Sequence, residues 1–353
     1  MIQFRLFCAH RRAAASVLLA AACWLLPAPI ATAQNDQVFT TGATKSQRGT
    51  LGTVTKDGIQ IKLGDNTKTI AAGEIDKILY TGDPSELTKG REFAVDGQYE
   101  QALEELEKID VATVKRDVAK ADVDYYIMMC KAKQALAGQG DKTEAVKLAM
   151  GFTRNHPNSW HFYSVAKLLG DLALAMNNPD QALRFYASLR AAPTTETKIE
   201  SVYLSAITQL AKGDAATALG EFEKIIGLKA ATPGALRLQT LAKAGKAVAL
   251  ARSEKAAEGL KLVNTLIADL NPTDVEMAAR IYNAQGASYE ASGDVEGAIM
   301  AYLHTHLMFS TQPDAHAEAL SKLVTLWPKV GKPERAAEAR QELQNRYPGF
   351  EAQ

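Results

Sequence analysis

The sequence is short of several things. Its 353 residues hold three cysteines and 7% aromatic side chains, and 40 Lys+Arg are balanced by 40 Asp+Glu. Zero net charge argues against a general polyanion binder, which needs a basic excess, so no nucleic-acid partner is expected. The one long apolar run, Ala13 to Leu26, is shorter than the roughly 20 residues of a membrane-spanning helix. No P-loop, dinucleotide fingerprint or Gly-x-Ser-x-Gly elbow is present. With 47% apolar residues the composition is that of a folded chain. Its length suits two ordinary domains or one repeat array.

The first 33 residues carry the three parts of a secretory signal. Arg5, Arg11 and Arg12 give a basic start, the apolar run comes next, and Ala31-Thr32-Ala33 offers small residues to a signal peptidase. Cleavage after Ala33 removes those three arginines and no acidic residue, which takes the net charge from 0 to −3. It also removes Cys8 and Cys23. Cys130 is left alone, so no intramolecular disulfide is expected. The expected product is exported, periplasmic or secreted into the cell envelope, with no integral membrane span.

From about residue 38 to 82 the pattern is that of strands. Thr50 to Thr55 is rich in β-branched residues, and Lys56-Asp57-Gly58 offers a hairpin in which Asp-Gly supplies positive φ. Ile59, Ile61 and Leu63 alternate with polar residues; Thr67 to Ile70 forms a short strand, and Ile78 and Tyr80 share a face. Four or so strands in so short a stretch suggest a small curled sheet, which resembles an SH3-like or Sm-like barrel. A unit this small is expected to dock on the helices C-terminal to it, as a cap on the end of the helical array.

Asp83-Pro84-Ser85 marks a boundary, beyond which the apolar period lengthens to that of helices. Pro157, Pro193, Pro233, Pro272, Pro313 and Pro348 recur every 35 to 41 residues, so helical units are interrupted at even intervals. Within Ile281 to Tyr302, small residues Gly286 and Ala298 allow two helices to approach. Tyr282, Tyr289 and Tyr302 fill the gaps around them, and Gly293-Asp294 makes the turn. At these spacings the segment resembles a tetratricopeptide repeat (TPR).

Related units are marked by Ala102, Ala145, Ala182, Ala218, Ala256, Ala298 and Ala336. The fifth, around Gly245 and Ala256, is degenerate. The expected fold is mainly α: a TPR-like α-solenoid of about seven antiparallel helix pairs, preceded by a small β-barrel-like domain. The domains are then 1–33 signal peptide, 34–85 all-β module and 86–353 helical repeats.

No catalytic constellation emerges. His304 and His306 are two apart and do not share a helix face; His156 and His161 flank Pro157 and Trp160; His316 is isolated. Cys130 lies in an apolar helical stretch and suits a small buried hydrophobe. Glu104 and Lys108 are placed to form an i,i+4 pair, and Asp141-Lys142-Thr143-Glu144 suits a helix cap. No catalytic residue, metal ligand or cofactor is therefore assigned, and no enzymatic activity is expected.

The TPR resemblance implies a protein-interaction scaffold with a peptide or partner protein in the concave groove lined by the first helix of each pair. Arg280, Asn283 and Glu290 are the groove candidates. The alternative is a cell-wall or surface-polymer binder acting through the β module, for which Phe39 and Tyr80 are the only aromatics between residues 38 and 82. The pattern leaves the oligomeric state open.

Overall fold

The structure is a computed structural model, and it describes residues 35–348 and 350. The expected signal segment lies outside the described residues. The described residues from Asp36 onward form one compact unit. Its sheet has five antiparallel strands, β1 (Asp36–Thr40), β2 (Gln47–Thr55), β3 (Gly58–Leu63), β4 (Asn66–Ala71) and β5 (Ile75–Leu79), in the order β4-β3-β2-β1-β5. Irregular register between Leu51 and Val54 in β2, and at Phe39/Thr40 in β1, lets so narrow a sheet curl. Lys56 and Asp57 carry the β2–β3 turn, and the positive φ falls on Gly58, the first residue of β3, instead of on the turn. A side chain there would meet Ile70 O at 2.2 Å, so the strand opens on the one residue that fits.

Fourteen α-helices come after the sheet among the described residues. They are α1 (Ser85–Val95), α2 (Tyr99–Leu106), α3 (Asp117–Leu136), α4 (Lys142–Asn155), α5 (Phe162–Ala175), α6 (Pro179–Ser188), α7 (Thr195–Ala211), α8 (Ala215–Ile226), α9 (Pro233–Ala251), α10 (Ala256–Ala268), α11 (Val275–Ser292), α12 (Val295–Met308), α13 (Pro313–Leu326) and α14 (Pro333–Arg346). Odd and even helices pack as antiparallel pairs, and consecutive odd helices pack on one another at α1–α3–α5 and at α7–α9–α11–α13. The array is therefore a TPR-like α-solenoid of seven pairs. The first five of the spaced prolines sit at the junctions between pairs and Pro348 comes after the last helix; Pro233 and Pro313 open α9 and α13, where a missing amide hydrogen is harmless.

A single small residue explains why the pairs close. Ala102, Ala145, Ala182, Ala218, Ala298 and Ala336 are each the fourth residue of an even helix, and all are buried. In the fifth pair this place belongs to Gly259, not to Ala256, which opens α10 and stays partly exposed. The reason is space: a Cβ at Gly259 would stand 2.8 Å from Ala247 O and 3.0 Å from Ser288 Oγ. On the odd helix the matching device is a glycine under a large side chain. Gly286 faces the Tyr302 ring, where a Cβ would lie 2.7 Å from it.

Each turn within a pair passes through one left-handed residue: Gly97, Gly138, Asn177, Gly213, Glu254, Gly293 or Gly331. Glu254 is the exception in chemistry, and it belongs to the degenerate fifth unit. Asp141, Asn178, Asp214 and Asp294 then cap α4, α6, α8 and α12 through their side chains, as expected for Asp141.

The sheet docks, as expected of so small a unit. Val38, Ile59, Ile61, Ile70 and Ile78 share one apolar core with Leu87, Val123, Tyr126 and Trp160 of the helical region. Polar contacts spread the docking over several pairs. Arg116, at the start of α3, pairs with Asp36; Tyr163 of α5 donates to Asp57 Oδ1 at 2.8 Å and accepts from Lys56 Nζ at 3.0 Å. Gly73 lies against Thr194 and Thr197 at the start of α7. The sheet thus runs along the N-terminal ends of the odd helices of the first four pairs, and does not merely cover the first.

The far end of the array returns to the near end. Arg346 O lies where a Cβ on Gly138, in the α3–α4 turn, would stand, only 1.2 Å away, and Lys142 Nζ donates to Pro348 O at 3.1 Å. The seventh pair therefore touches the second.

Candidate functional site: the inner groove

The odd helices line the inner face, and their polar side chains keep step with the repeat. Lys167, Glu200, Arg280 and Glu318 are the sixth residues of α5, α7, α11 and α13. Neighbouring helices are tied by ion pairs: Lys167 to Glu200, Arg237 to Asp274 at 2.7 Å and to Glu276 at 2.8 Å, and Arg280 to Asp314. Asp314 on α13 also acts electrostatically on Asp171 of α5 and Tyr186 of α6, and Glu276 acts on Lys167.

Burial shifts these charges. Burial pushes the Asp171 carboxyl up, against the pull of Lys167, Lys133 and the Tyr186 hydroxyl, which donates to it at 2.7 Å. Burial also acts to raise Asp314, but the Arg280 guanidinium beside it outweighs this and holds the carboxyl below its ordinary value. Asp314 nevertheless keeps 57% of its side-chain surface open.

The three candidates from the sequence sit on α11. Arg280 is committed to Asp314 and leaves its buried Nε without a partner. Asn283 is 3% exposed; its Nδ2 donates to Ala315 O at 2.9 Å and to Glu318 Oε2 at 3.0 Å, while its Oδ1 has no partner. Asn283 therefore also holds α13 to α11. Glu290 pairs with Lys322 of α13 at 3.4 Å.

Beside Glu290 opens a cavity of about 250 Å³, walled by Arg252, Glu290, Tyr302, Glu318 and Lys322 among others. Arg252 stands 4.0 Å from Glu318. The Tyr302 hydroxyl at its base is buried without a hydrogen bond of ordinary geometry, and Glu290 is a carboxylate that faces it. The Tyr203 hydroxyl, within the field of Arg280, is likewise unpartnered, and burial pushes it up to about 12. Native interiors rarely leave such groups orphaned. Sequence reasoning missed Arg252, Glu318, Lys322 and Tyr203, although the recurring sixth position of the odd helices was a usable signal.

The other sequence candidates have structural partners. His156 Nε2 lies 2.8 Å from Asp124. His161 is buried, with Nε2 3.0 Å from Asp122 Oδ1, and burial lowers its pKa. His304 binds Met300 O and stacks on Tyr282. His316 is not isolated: its Nε2 lies 2.9 Å from His306 Nδ1, because α12 and α13 bring together residues that the sequence separates by a turn. Cys130 is fully buried and its thiol is pushed up to about 12, so it behaves as a small hydrophobe. Lys108 pairs with Glu105 at 2.7 Å instead of with Glu104. No helix among the described residues is long and apolar enough to cross a membrane.

No protein-family model matches the sequence, and no curated protein matches it. Solved structures do resemble it. A tetratricopeptide repeat protein from Parabacteroides merdae superposes with a TM-score of 0.50 at 15% identity, over 74% of this chain and 91% of its own. A Rap protein, solved in complex with Competence and Sporulation Factor, superposes with a TM-score of 0.52 at 13% identity, over 75% of this chain and 76% of its own. At these identities the likeness establishes the TPR-like fold.

Proposed function

We propose that the chain is a non-catalytic protein-interaction scaffold of the cell envelope that holds a peptide, or an extended segment of a partner protein, in its inner groove. One observation carries this reading. On α11, Arg280 Nε and Asn283 Oδ1 are buried polar atoms without partners, and on the cavity wall the buried Tyr302 hydroxyl has only the Glu290 carboxylate facing it. A peptide backbone offers both donors and acceptors, and would satisfy such a mixed set where an apolar ligand would not. A cavity of about 250 Å³ is also small for a whole drug-sized ligand and suits one inserted side chain. The Rap neighbour was solved in complex with Competence and Sporulation Factor, and a partner bound by a similar scaffold supports this reading. Export through residues 1–33 belongs to the same proposal. The polymer-binding alternative would need aromatics on the sheet, where Tyr80 is 4% exposed and Phe39 lies beneath Lys77 Nζ at 5.0 Å.

The test places a photo-crosslinking residue at Ala291, on the cavity wall, and at Gly151, on the open surface of α4. In the native exporting cell, Ala291 should capture a discrete peptide or protein segment that Gly151 does not. Combined Glu290→Gln and Lys322→Met substitution should reduce that capture at unchanged thermal stability. Equal labelling from both positions, or capture indifferent to the double substitution, would remove the groove assignment. Asn283 is the poorer probe, since its substitution also loosens α13.

A further inference from the structure

Three helices that meet at the last two pairs bring together His306 (α12), His316 (α13) and Glu342 (α14). His306 Nδ1 lies 2.9 Å from His316 Nε2, and the two rings are parallel, with centroids 5.2 Å apart. Glu342 Oε1 stands 3.8 Å from His316 Nε2, and its Oε2 stands 4.0 Å from His306 Nε2. One ligand atom from each residue lies within 4.8 Å of the other two. Tetrahedral zinc, with bonds of about 2.0–2.2 Å, sets neighbouring ligand atoms about 3.3–3.5 Å apart. With His306 Nδ1 and His316 Nε2 as the nitrogen ligands, the 2.9 Å between them and the 3.8 Å from His316 Nε2 to Glu342 Oε1 straddle that value, while the 4.0 Å contact is made by the other His306 nitrogen. The histidines must open by a few tenths of an ångström, and Glu342, with 36% of its side chain exposed, can close the remainder by rotation.

The surroundings suit a cation. His316 is fully buried, and its second nitrogen, Nδ1, lies 2.8 Å from the Tyr347 hydroxyl. Such an outer hydrogen bond fixes the ring of a ligating histidine. His306 lies in the last turn of α12, where the free carbonyls favour positive charge. One contact opposes: Arg346 Nη1 lies 3.3 Å from Glu342 Oε1. Arg346 also donates from Nη2 to Ser310 O at 3.5 Å, so it keeps a partner if Glu342 turns away.

We propose that His306, His316 and Glu342 form a binding site for a late first-row divalent ion such as Zn²⁺, with the fourth position open to water or another ligand. Two imidazoles and a carboxylate are a donor set that this class of ion accepts. A bound ion would cross-link α12, α13 and α14, and so fasten the pair whose end touches the α3–α4 turn. The site is separate from the groove, and its fate does not depend on the groove reading.

The experiment titrates the untagged, metal-stripped full chain with Zn²⁺ by calorimetry and with Co²⁺ by visible absorption. One ion per chain should bind, with the intense visible bands of four-coordinate Co²⁺. His306→Ala should abolish those bands, and Glu342→Gln should weaken binding about tenfold or more, as loss of a ligand demands. Glu290→Gln, in the groove, should bind like the parent. Circular dichroism checks that His306→Ala remains helical; if it does not, Glu342→Gln decides. No binding, or binding that survives these substitutions (as ligation by His10, Cys8 or Cys23 would), overturns the proposal.

Discussion

Asp36 is the residue that ties the start of the sheet to the helices. Its carboxylate is 3% exposed, pairs with Arg116, and accepts from the backbone N–H groups of Leu51 and Thr81 at 2.8 Å each. Burial alone would raise its pKa, but Arg116 and the two amides outweigh it and hold the carboxyl below its ordinary value. A depressed native pKa contributes stability that is present above the unfolded value and lost as pH falls through the native one. Asp36→Asn should therefore cost about 1.5–3 kcal/mol at neutral pH, the scale of a charged hydrogen bond. It should also flatten the dependence of the urea midpoint on pH below about 4, where the parent loses this contribution. Arg91 makes a stronger case. It is fully buried between Asp83 and Asp122, 3.1 Å from each, and Asp122 in turn takes the Tyr80 hydroxyl at 3.2 Å and His161 at 3.0 Å. Arg91→Ala would strand two carboxylates in the core, at a cost of about 3–5 kcal/mol in equilibrium unfolding. This network was invisible in the sequence, because its members come from the sheet's end and from α1, α3 and α5, and only packing makes them neighbours.

At the scale of the element, the repeat was legible because its requirements are local. A helix pair needs a small residue at the crossing and a left-handed residue in the turn, and both leave a mark at fixed offsets. That is why six of the seven key alanines were placed from sequence, and why Tyr282 to Tyr302 stood out. The fifth pair misled because its marks are displaced: the crossing residue is Gly259, and the left-handed position, φ +61, is held by Glu254 where most of the other turns use glycine. A non-glycine residue there carries about 1 kcal/mol of strain. Glu254→Gly should accordingly stabilise the protein by no more than about 0.6 kcal/mol, after the added entropy of the unfolded chain is counted. Gly259→Ala should do the reverse, by about 1–3 kcal/mol, since the Cβ has no room between α9 and α11. Thermal unfolding of the two variants checks both signs. If Ala256 were the crossing residue after all, Gly259→Ala would be neutral.

At the scale of the molecule, the feature that sequence could not supply is closure. Superhelical curvature accumulates from small rotations between pairs, so whether the last pair reaches the second depends on every junction before it. The closure is carried by Arg346 O against Gly138 and by Lys142 Nζ donating to Pro348 O. Two glycines isolate the contact. Gly138 and Gly213 both sit in turns, at φ +84 and +85, so alanine brings the same backbone strain to each. They differ in what the new Cβ meets: open space at Gly213, but Arg346 O at 1.2 Å at Gly138. Gly213→Ala should cost about 1 kcal/mol from strain alone. Gly138→Ala should carry that same strain and also push the C-terminal pair away, widening the groove. The expected signature is a larger radius of gyration by solution scattering and faster amide exchange in α14 for Gly138→Ala, with neither change in Gly213→Ala. If both variants scatter alike, the two ends of the array do not hold one another, and the groove is open along its length.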